Sequence, residues 1–192
     1  MYTYNNLSNA TINYLNYFYE ILDEMIYGMT SAKPTESISH TFIVQMIPHH
    51  MAAIRMSRNL LLYTTCIPLQ NIAENIIISQ TKSIHDMKQA DLTCSKIYNS
   101  NQELCSYLKC YEKITNEMFS QMANAEPSNN INISFMREII PHHMGAVRMS
   151  KNALSYKICP ELTPILKSII TSQERGILQM QKLLNNICTN GC

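Results

Sequence analysis

The chain has 192 residues, of which 46% are hydrophobic, and it carries a formal net charge of +1. This length is sufficient to bury a hydrophobic core, and the composition excludes a disordered or fibrous protein. Lysine and arginine form no cluster that could neutralise a phosphate backbone, so nucleic acid is excluded as the main partner.

The beginning of the chain shows no targeting signal. Residues 1–6 lack a positively charged region followed by an apolar stretch, which a secretory signal requires. No apolar segment reaches the length of a transmembrane helix, so we expect no membrane span. The mature form of an exported protein would look the same, and the location therefore stays open, with the cytoplasm favoured.

The first half of the chain predicts three helices. The first covers about residues 7–28 and ends before the punctuation at Lys33-Pro34-Thr35. The second covers about residues 37–63. A short loop containing Pro68 leads to the third, whose apolar residues recur at spacings of three and four, the period of a helix rather than of a strand. These residues are Ile72, Ile76, Ile77, Ile84 and Met87.

The second half of the chain repeats the first. An offset of 93 residues, which separates His49 from His142, aligns most of the chain with itself without a gap. The first two helices return at about residues 103–124 and 131–156, and a third again follows a loop with prolines. We interpret the chain as a tandem duplication, with repeats at about residues 7–98 and 100–191 that form one all-helical domain over residues 1–192.

The order of the helices predicts how the repeats pack. The short loop between the second and third helices makes them antiparallel neighbours, and two such hairpins make a four-helix bundle. The first helix of each repeat would then pack outside or across this bundle. The predicted fold is therefore an all-α four-helix bundle with an extra helix preceding each hairpin.

The most informative segments are two adjacent histidine pairs. Only six histidines occur in the chain, and four of them form His49-His50 and His142-His143, each after a proline. An imidazole nitrogen beside a soft methionine thioether points to a soft metal ion, with copper(I) as the leading candidate. The predicted ligands are His49, His50, Met46, Met51, Met56, His142, His143, Met144 and Met149. The alternative is that these side chains only pack in the core.

Pro48 and Pro141 lie inside the helical pattern of these segments. We favour a helix that bends at each proline and continues, since the apolar stripe already begins at Phe42. The alternative is that each proline is the first residue of a new helix, where its missing N–H costs nothing.

The third helix of each repeat carries a glutamine on its apolar face, Gln80 in one and Gln173 in the other. A buried amide needs a hydrogen-bond partner. Two alternatives stay open: a bond to the second nitrogen of a metal-bound histidine, or a position at the exposed margin of the helix. Met87 and Met180 lie on the same faces and are candidates for additional ligands.

The remaining candidate ligands have a plainer interpretation. The seven cysteines are an odd number without a Cys-x-x-Cys pair, and we expect free, mostly buried thiols rather than a disulfide framework. Cys66 and Cys159 are the pair to check, because they occupy matching places in the two repeats. His40 and His85 have no histidine counterparts, and we expect no part for them in the site.

Taken together, these residues resemble the bacterial family known as domain of unknown function 305. Its signature is a Met-Ile-Pro-His-His segment followed by Ala and Met, and then a later helix with Gln, Ile and Met. The resemblance covers about residues 37–90 and 130–187. It implies a ferritin-like four-helix bundle, often exported, and in some members the binding of copper(I) or silver(I) through Met and His, linked to metal tolerance.

The chain departs from the family pattern at several positions. Ser83 and Gly176 stand where the family usually has Glu, three residues after the Gln. Arg55 and Arg148 replace a residue that is commonly acidic or neutral, and no Trp closes the third helix. Loss of the carboxylate argues against an oxygen-ligated metal and favours a softer set of ligands.

The sequence therefore predicts a protein that binds copper(I), or silver, for buffering, storage or tolerance, without an organic cofactor. A di-metal enzyme of the ferritin-like kind needs Glu-x-x-His on two helices, which is missing here, as is the His-Glu-x-x-His of zinc proteases. We therefore expect no enzyme. The alternative is a structural or interaction protein of the coat or scaffold type. The expected partner is a metal ion, and a homo-oligomer is left open.

Overall fold

The computed structural model describes the backbone of residues 6–190 and the side chains of residues 6–186. These residues form six α-helices and no strand, which confirms the prediction of an all-helical fold. The helices are α1 (Asn9–Ser31), α2 (Ile38–Leu61), α3 (Ile67–Cys94), α4 (Asn101–Ala123), α5 (Ile131–Leu154) and α6 (Leu162–Asn190). Within the described residues, none of these helices combines the length and apolar character needed to cross a membrane.

Several helices begin where a side chain satisfies the free N–H groups of the first turn. Ser37 caps α2 by accepting a hydrogen bond from the His40 N–H, and Asn130 does the same for α5. Ser100 and Glu103 form a reciprocal capping box at the start of α4. These caps explain why the helices start within two residues of the predicted positions.

The helices contact one another in a regular pattern. In each repeat the second and third helices pack together, α2 on α3 and α5 on α6. Further contacts join α2 to α5 and α3 to α6, so these four helices meet in a ring. Helix α1 packs on α2 and α4 packs on α5, which agrees with the predicted outer position of the first helix in each repeat.

The duplication is visible in matching contacts. The Asn59 side chain donates to the Tyr14 carbonyl at 3.0 Å, and Asn152 donates to the Tyr107 carbonyl at 3.1 Å. On the outside, an arginine of α2 pairs with Glu24 of α1, and an arginine of α5 pairs in the same way with Glu117 of α4. These arginines, Arg55 and Arg148, thus turn towards the outer helices.

Both prolines lie inside a helix, Pro48 in α2 and Pro141 in α5. The alternative in which each proline begins a new helix is therefore wrong, because helical residues precede it by several turns. Helix α1 approaches Pro48 closely at Gly28, where an added Cβ would lie 2.8 Å from the proline Cβ. A side chain at this position would push α1 away from α2.

Candidate metal centre

His49 and His142 lie face to face where α2 and α5 meet. Their ring centroids are 3.6 Å apart with the ring planes 29° from parallel, and both residues are fully buried. Each Nε2 donates a hydrogen bond to the backbone carbonyl of the other histidine, at 3.2 and 3.1 Å. Because a carbonyl oxygen can only accept, Nε2 carries the proton, and Nδ1 of each neutral ring holds a free lone pair.

The second histidine of each pair lies further out. His50 and His143 have ring centroids 5.9 and 5.8 Å from those of His49 and His142. The Nε2 atom of His50 shares a hydrogen bond with the Ser83 hydroxyl at 3.1 Å. The counterpart of Ser83 is Gly176, and an added Cβ there would lie 3.4 Å from Nε2 of His143. The two outer histidines therefore have different surroundings.

Burial keeps all four imidazoles uncharged at neutral pH. Removal from water is the main cause, and it lowers the pKa of His50 to about 3 and that of His142 to about 4. The pKa values of His49 and His143 also fall well below the ordinary value, through burial first and then through repulsion between the neighbouring imidazoles. The neutral ring is the form that binds a metal ion.

The site is rich in buried polar atoms without a hydrogen-bond partner among the described groups. They include Nδ1 of all four histidines, both polar atoms of the Gln80 amide and Oε1 of Gln173. Most buried polar groups in folded proteins are paired, and such exceptions mark places where water, an ion or a ligand is held. Their concentration around the two histidine pairs singles out this region.

The two glutamines lie close to the site, and their burial decides against one of the two alternatives that the sequence left open. Both are buried, which makes the alternative of an exposed helix margin wrong. Neither Gln80 nor Gln173 is hydrogen-bonded to an imidazole among the described contacts, and Ser83 makes that bond to His50 instead. The glutamines line a cavity of about 280 Å³ together with His143.

The predicted methionine ligands divide into two groups. Met46, Met56, Met149, Met87 and Met180 are buried in the core. The side chains of Met51 and Met144 are 53% and 43% exposed, so the structure does not bring them into the buried cluster. Met51 instead lines a small cavity with residues of α1.

The described residues contain no ready-made group of metal ligands. No three side chains of His, Cys, Asp or Glu converge on one point in residues 6–186, so the described residues offer no ready oxygen- and nitrogen-rich cage. The polar groups that remain in this region are the imidazole nitrogens of the two pairs, with buried methionine thioethers on the same helices. His40 lies apart and bonds Asp91 through Nδ1 at 2.5 Å, while His85 is exposed, in keeping with the plain interpretation of both.

The cysteines add no disulfide within the described side chains. Cys66, Cys94 and Cys159 are buried, Cys105 and Cys110 are exposed, and none of these five forms a disulfide among the described side chains. The matched residues Cys66 and Cys159 are therefore not joined by a disulfide to each other. Cys188 and Cys192 lie outside the described side chains.

A buried carboxyl group was missed in the sequence. Glu138 lies on α5 one turn before His142, is only 3% exposed, and accepts a hydrogen bond from the Tyr14 hydroxyl at 2.5 Å. Burial raises its pKa to about 8, and the bond from Tyr14 offsets this only in part. The counterparts are Gln45 and Tyr107, whose side-chain oxygens have no hydrogen-bond partner in the described residues. The sequence did contain a signal for this group. A charged residue lies on an apolar stripe of one repeat, and an amide occupies the matching position in the other.

Comparison with known proteins supports the duplication and the fold. The family model described as "Domain of unknown function (DUF305)" matches residues 23–91 and again residues 108–184. A solved structure described as a DUF305 fragment from Deinococcus radiodurans is similar, with a TM-score of 0.57 and 20% sequence identity, over 80% of this chain and 99% of that chain. At this identity the likeness concerns the fold alone. No match was found among curated proteins.

Proposed function

The chain belongs to the DUF305 family, with two tandem copies, and from this premise we propose that it binds copper(I) or silver(I) at its paired histidines without catalysing a reaction. The role we propose is buffering, storage or tolerance of the metal. We also propose that the ring of α2, α3, α5 and α6 is a ferritin-like four-helix bundle, and the contacts around this ring support that finer description.

One observation carries the proposal: four buried imidazoles, all neutral at neutral pH, have unpartnered Nδ1 atoms. For His49 and His142, the other nitrogen donates to a backbone carbonyl. A histidine that binds a metal through one nitrogen commonly donates its other N–H to a carbonyl, which fixes the tautomer and orients the ring. The reciprocal bonds therefore use the Nε2–H groups and leave the Nδ1 lone pairs available for a metal ion.

The surrounding side chains support a soft ion over zinc or a pair of iron ions. Met56 and Met149 follow the inner histidines by two turns on the same buried stripe of α2 and α5. Met180 lies near the outer histidine of the second copy, since its Cε is 3.9 Å from the position of a Cβ on Gly176. Thioether sulfur is a good ligand for copper(I) and a poor one for harder ions.

A structural role is the second candidate, and the reciprocal bonds between His49 and His142 favour it. The two rings join α2 to α5 at the boundary between the repeats, with both Nε2–H groups satisfied by main-chain carbonyls. Such a contact fixes the relative position of two helices without any ion. In the metal-binding function the Nδ1 atoms bind an ion, whereas in the structural role they bind none.

Titration with copper(I) distinguishes them. We expect the protein, kept anaerobic with a reductant, to remove copper(I) from a coloured competing chelator in a fixed stoichiometry. Replacement of both outer histidines, His50→Gln with His143→Gln, should weaken this uptake by at least about tenfold, the loss typical of changes around a bound metal. The matched control is His85→Gln on the exposed face of α3, which should bind as the wild type does.

Methionine variants test the ligand set separately. Met149→Leu removes a buried thioether with little change in volume and should weaken uptake, whereas Met51→Leu, on an exposed side chain, should not. Circular dichroism of each variant verifies that the helices are intact. If the wild-type protein leaves all copper(I) on the chelator, the metal-binding function is wrong and the structural role stands.

A further inference from the structure

Two buried cysteines, one from each repeat, meet at the start of α2. Cys94 is the last residue of α3, Cys159 lies in the loop between α5 and α6, and both are fully buried. The Ser37 hydroxyl donates to the Cys94 carbonyl at 2.9 Å, and the Cys159 N–H donates to the Ser39 hydroxyl at 2.9 Å. These bonds hold both cysteines, which are 65 positions apart in the chain, against the same first turn of a helix.

The two thiols are also in contact. The Cys94 thiol is within hydrogen-bonding reach of the Cys159 thiol, and its pKa is raised well above the ordinary value by burial first and by this contact second. The Cys159 thiol in turn donates to the Glu161 carboxylate at 2.8 Å, a bond that lowers the pKa of Glu161. Cys94 is therefore held as a protonated thiol, and Cys159 is the one whose S–H proton points to a charged acceptor.

The pair lies just beneath the surface. Glu161 is exposed, and it lines an open depression of about 350 Å³ together with Thr93, the residue before Cys94. Movement of the Glu161 side chain would therefore bring the Cys159 sulfur into reach of a small molecule in this depression.

We propose that Cys94 and Cys159 are a redox-active dithiol, which a peroxide oxidises to a disulfide between the two repeats. Because the sulfur atoms are already neighbours, rotation of the side chains brings them to the bonding distance of about 2.05 Å. The disulfide joins the end of α3 in the first repeat to the loop before α6 in the second. No metal ion takes part, so this inference does not depend on the proposed function.

The oxidation proceeds in two steps. Cys159 releases its proton towards Glu161 and its thiolate attacks the peroxide, so that an S–O bond forms, the O–O bond breaks and hydroxide leaves as water. The Cys94 sulfur then attacks the sulfenic acid on Cys159, the S–S bond forms, and the departing hydroxide takes the Cys94 proton as a second water. Two thiols lose two electrons in all, and one hydrogen peroxide is reduced to two waters.

Peptide mapping of the full-length protein tests the dithiol directly. We expect metal-free protein that is treated with hydrogen peroxide, unfolded, alkylated and digested without reductant to give two peptides joined through Cys94 and Cys159. Cys105 and Cys110 are internal references: they are exposed, but about 7.5 Å of helix rise separates them, too far for a disulfide. If Cys94 and Cys159 are recovered as alkylated thiols, or joined to other cysteines, the proposal is wrong.

Serine variants assign a role to each sulfur. In Cys94→Ser the sulfenic acid has no thiol to react with, and we expect dimedone to trap it on Cys159. In Cys159→Ser we expect Cys94 to stay reduced, because the thiolate is the form that attacks peroxide and burial keeps this thiol protonated. Trapping on Cys94 rather than on Cys159 would overturn the order of the two steps.

Thermal unfolding shows whether the disulfide belongs to the native fold. A bond between residues 65 positions apart restricts the unfolded chain, so the oxidised wild type should melt about 5 °C or more above the reduced protein. A reductant should reverse this rise, and Cys94→Ser should not show it. An oxidised wild type that melts at the same or a lower temperature would mean that the bond distorts the native packing, which contradicts the proposal.

Discussion

The two repeats match at their centre and differ around it. At the crossing of α2 and α5, His49 and His142 make the same bond to each other's carbonyl, at nearly the same distance. Beside the outer histidines, Ser83 hydrogen-bonds His50, while Gly176 has no side chain and packs closely against the His143 ring. The contact at the centre is symmetric, whereas the positions around it have become different.

A second difference lies one turn before the inner histidines. In the second repeat Glu138 accepts a short hydrogen bond from Tyr14, a residue of the first repeat. The residues at the matching positions are Gln45 and Tyr107, and neither side-chain oxygen has a hydrogen-bond partner among the described residues. A carboxyl group with a hydrogen-bond partner in one repeat thus corresponds to an amide oxygen without one in the other, so each repeat can serve as a control for the other.

The largest effect we expect is loss of stability in acid, and it should come equally from both repeats. The four pKa values lie below 6.5 in the folded state, so below that pH the unfolded chain binds protons that the folded chain does not. Stability is therefore lost as the pH falls below about 6.5, on the order of 1 kcal/mol per pH unit for each histidine.

Denaturant unfolding of the metal-free protein between pH 7 and pH 5 measures this loss. His50→Gln and His143→Gln should each reduce the slope by a similar part, since burial is the main cause of the pKa shift at both positions. An unfolding free energy that stays constant over this range would contradict the buried, neutral state of the cluster.

The next effect belongs to the second repeat alone. Because burial raises the pKa of Glu138 to about 8 from an ordinary value of 4.5, the folded chain holds a proton that the unfolded chain has lost. Stability should therefore fall as the pH rises towards 8, on the order of 1 kcal/mol per pH unit above pH 6.5, where the histidines no longer oppose it. Glu138→Gln, which copies Gln45, should remove this slope. If the variant and the wild type keep parallel profiles between pH 6.5 and pH 8, the carboxyl is ionised in the folded state.

The smallest effect compares two tyrosines at matched positions. Tyr14→Phe removes the donor to a buried carboxyl and should cost about 1–3 kcal/mol of unfolding free energy. Tyr107→Phe removes a buried hydroxyl without a partner and should be neutral or slightly stabilising. Chemical denaturation near pH 6 gives both values under one condition. Similar losses of unfolding free energy in the two variants would show that the two tyrosines have equivalent surroundings.

The helices could be predicted from the sequence because their signals are local. The apolar period, the proline-containing segments between helices and the internal repeat predicted six helices, for example one at about 131–156 against the observed Ile131–Leu154. The burial of His49 and His142 agrees with their place on an apolar stripe. The order of the helices and the short loops were sufficient to predict that α1 and α4 lie outside.

The details of the site could not be predicted because they depend on contacts between distant residues. Nothing local to His49 shows that its Nε2 bonds a carbonyl 93 residues away. The pairing of Tyr14 with Glu138 joins residues 124 positions apart, and it appears only when the repeats are packed. Likewise, the choice of Ser83 over Gln80 as the partner of His50 depends on the rotation of α3 about its axis.

The reciprocal bond between His49 and His142 has the form of an interface between two identical subunits. When residue i contacts j and j contacts i, a twofold axis passes between them, as in a homodimer. Here both halves belong to one chain, so the contact forms at a fixed effective concentration rather than one set by the amount of protein. Covalent linkage also frees the halves from sharing one sequence. A true homodimer could not place Ser83 on one side of its axis and Gly176 on the other.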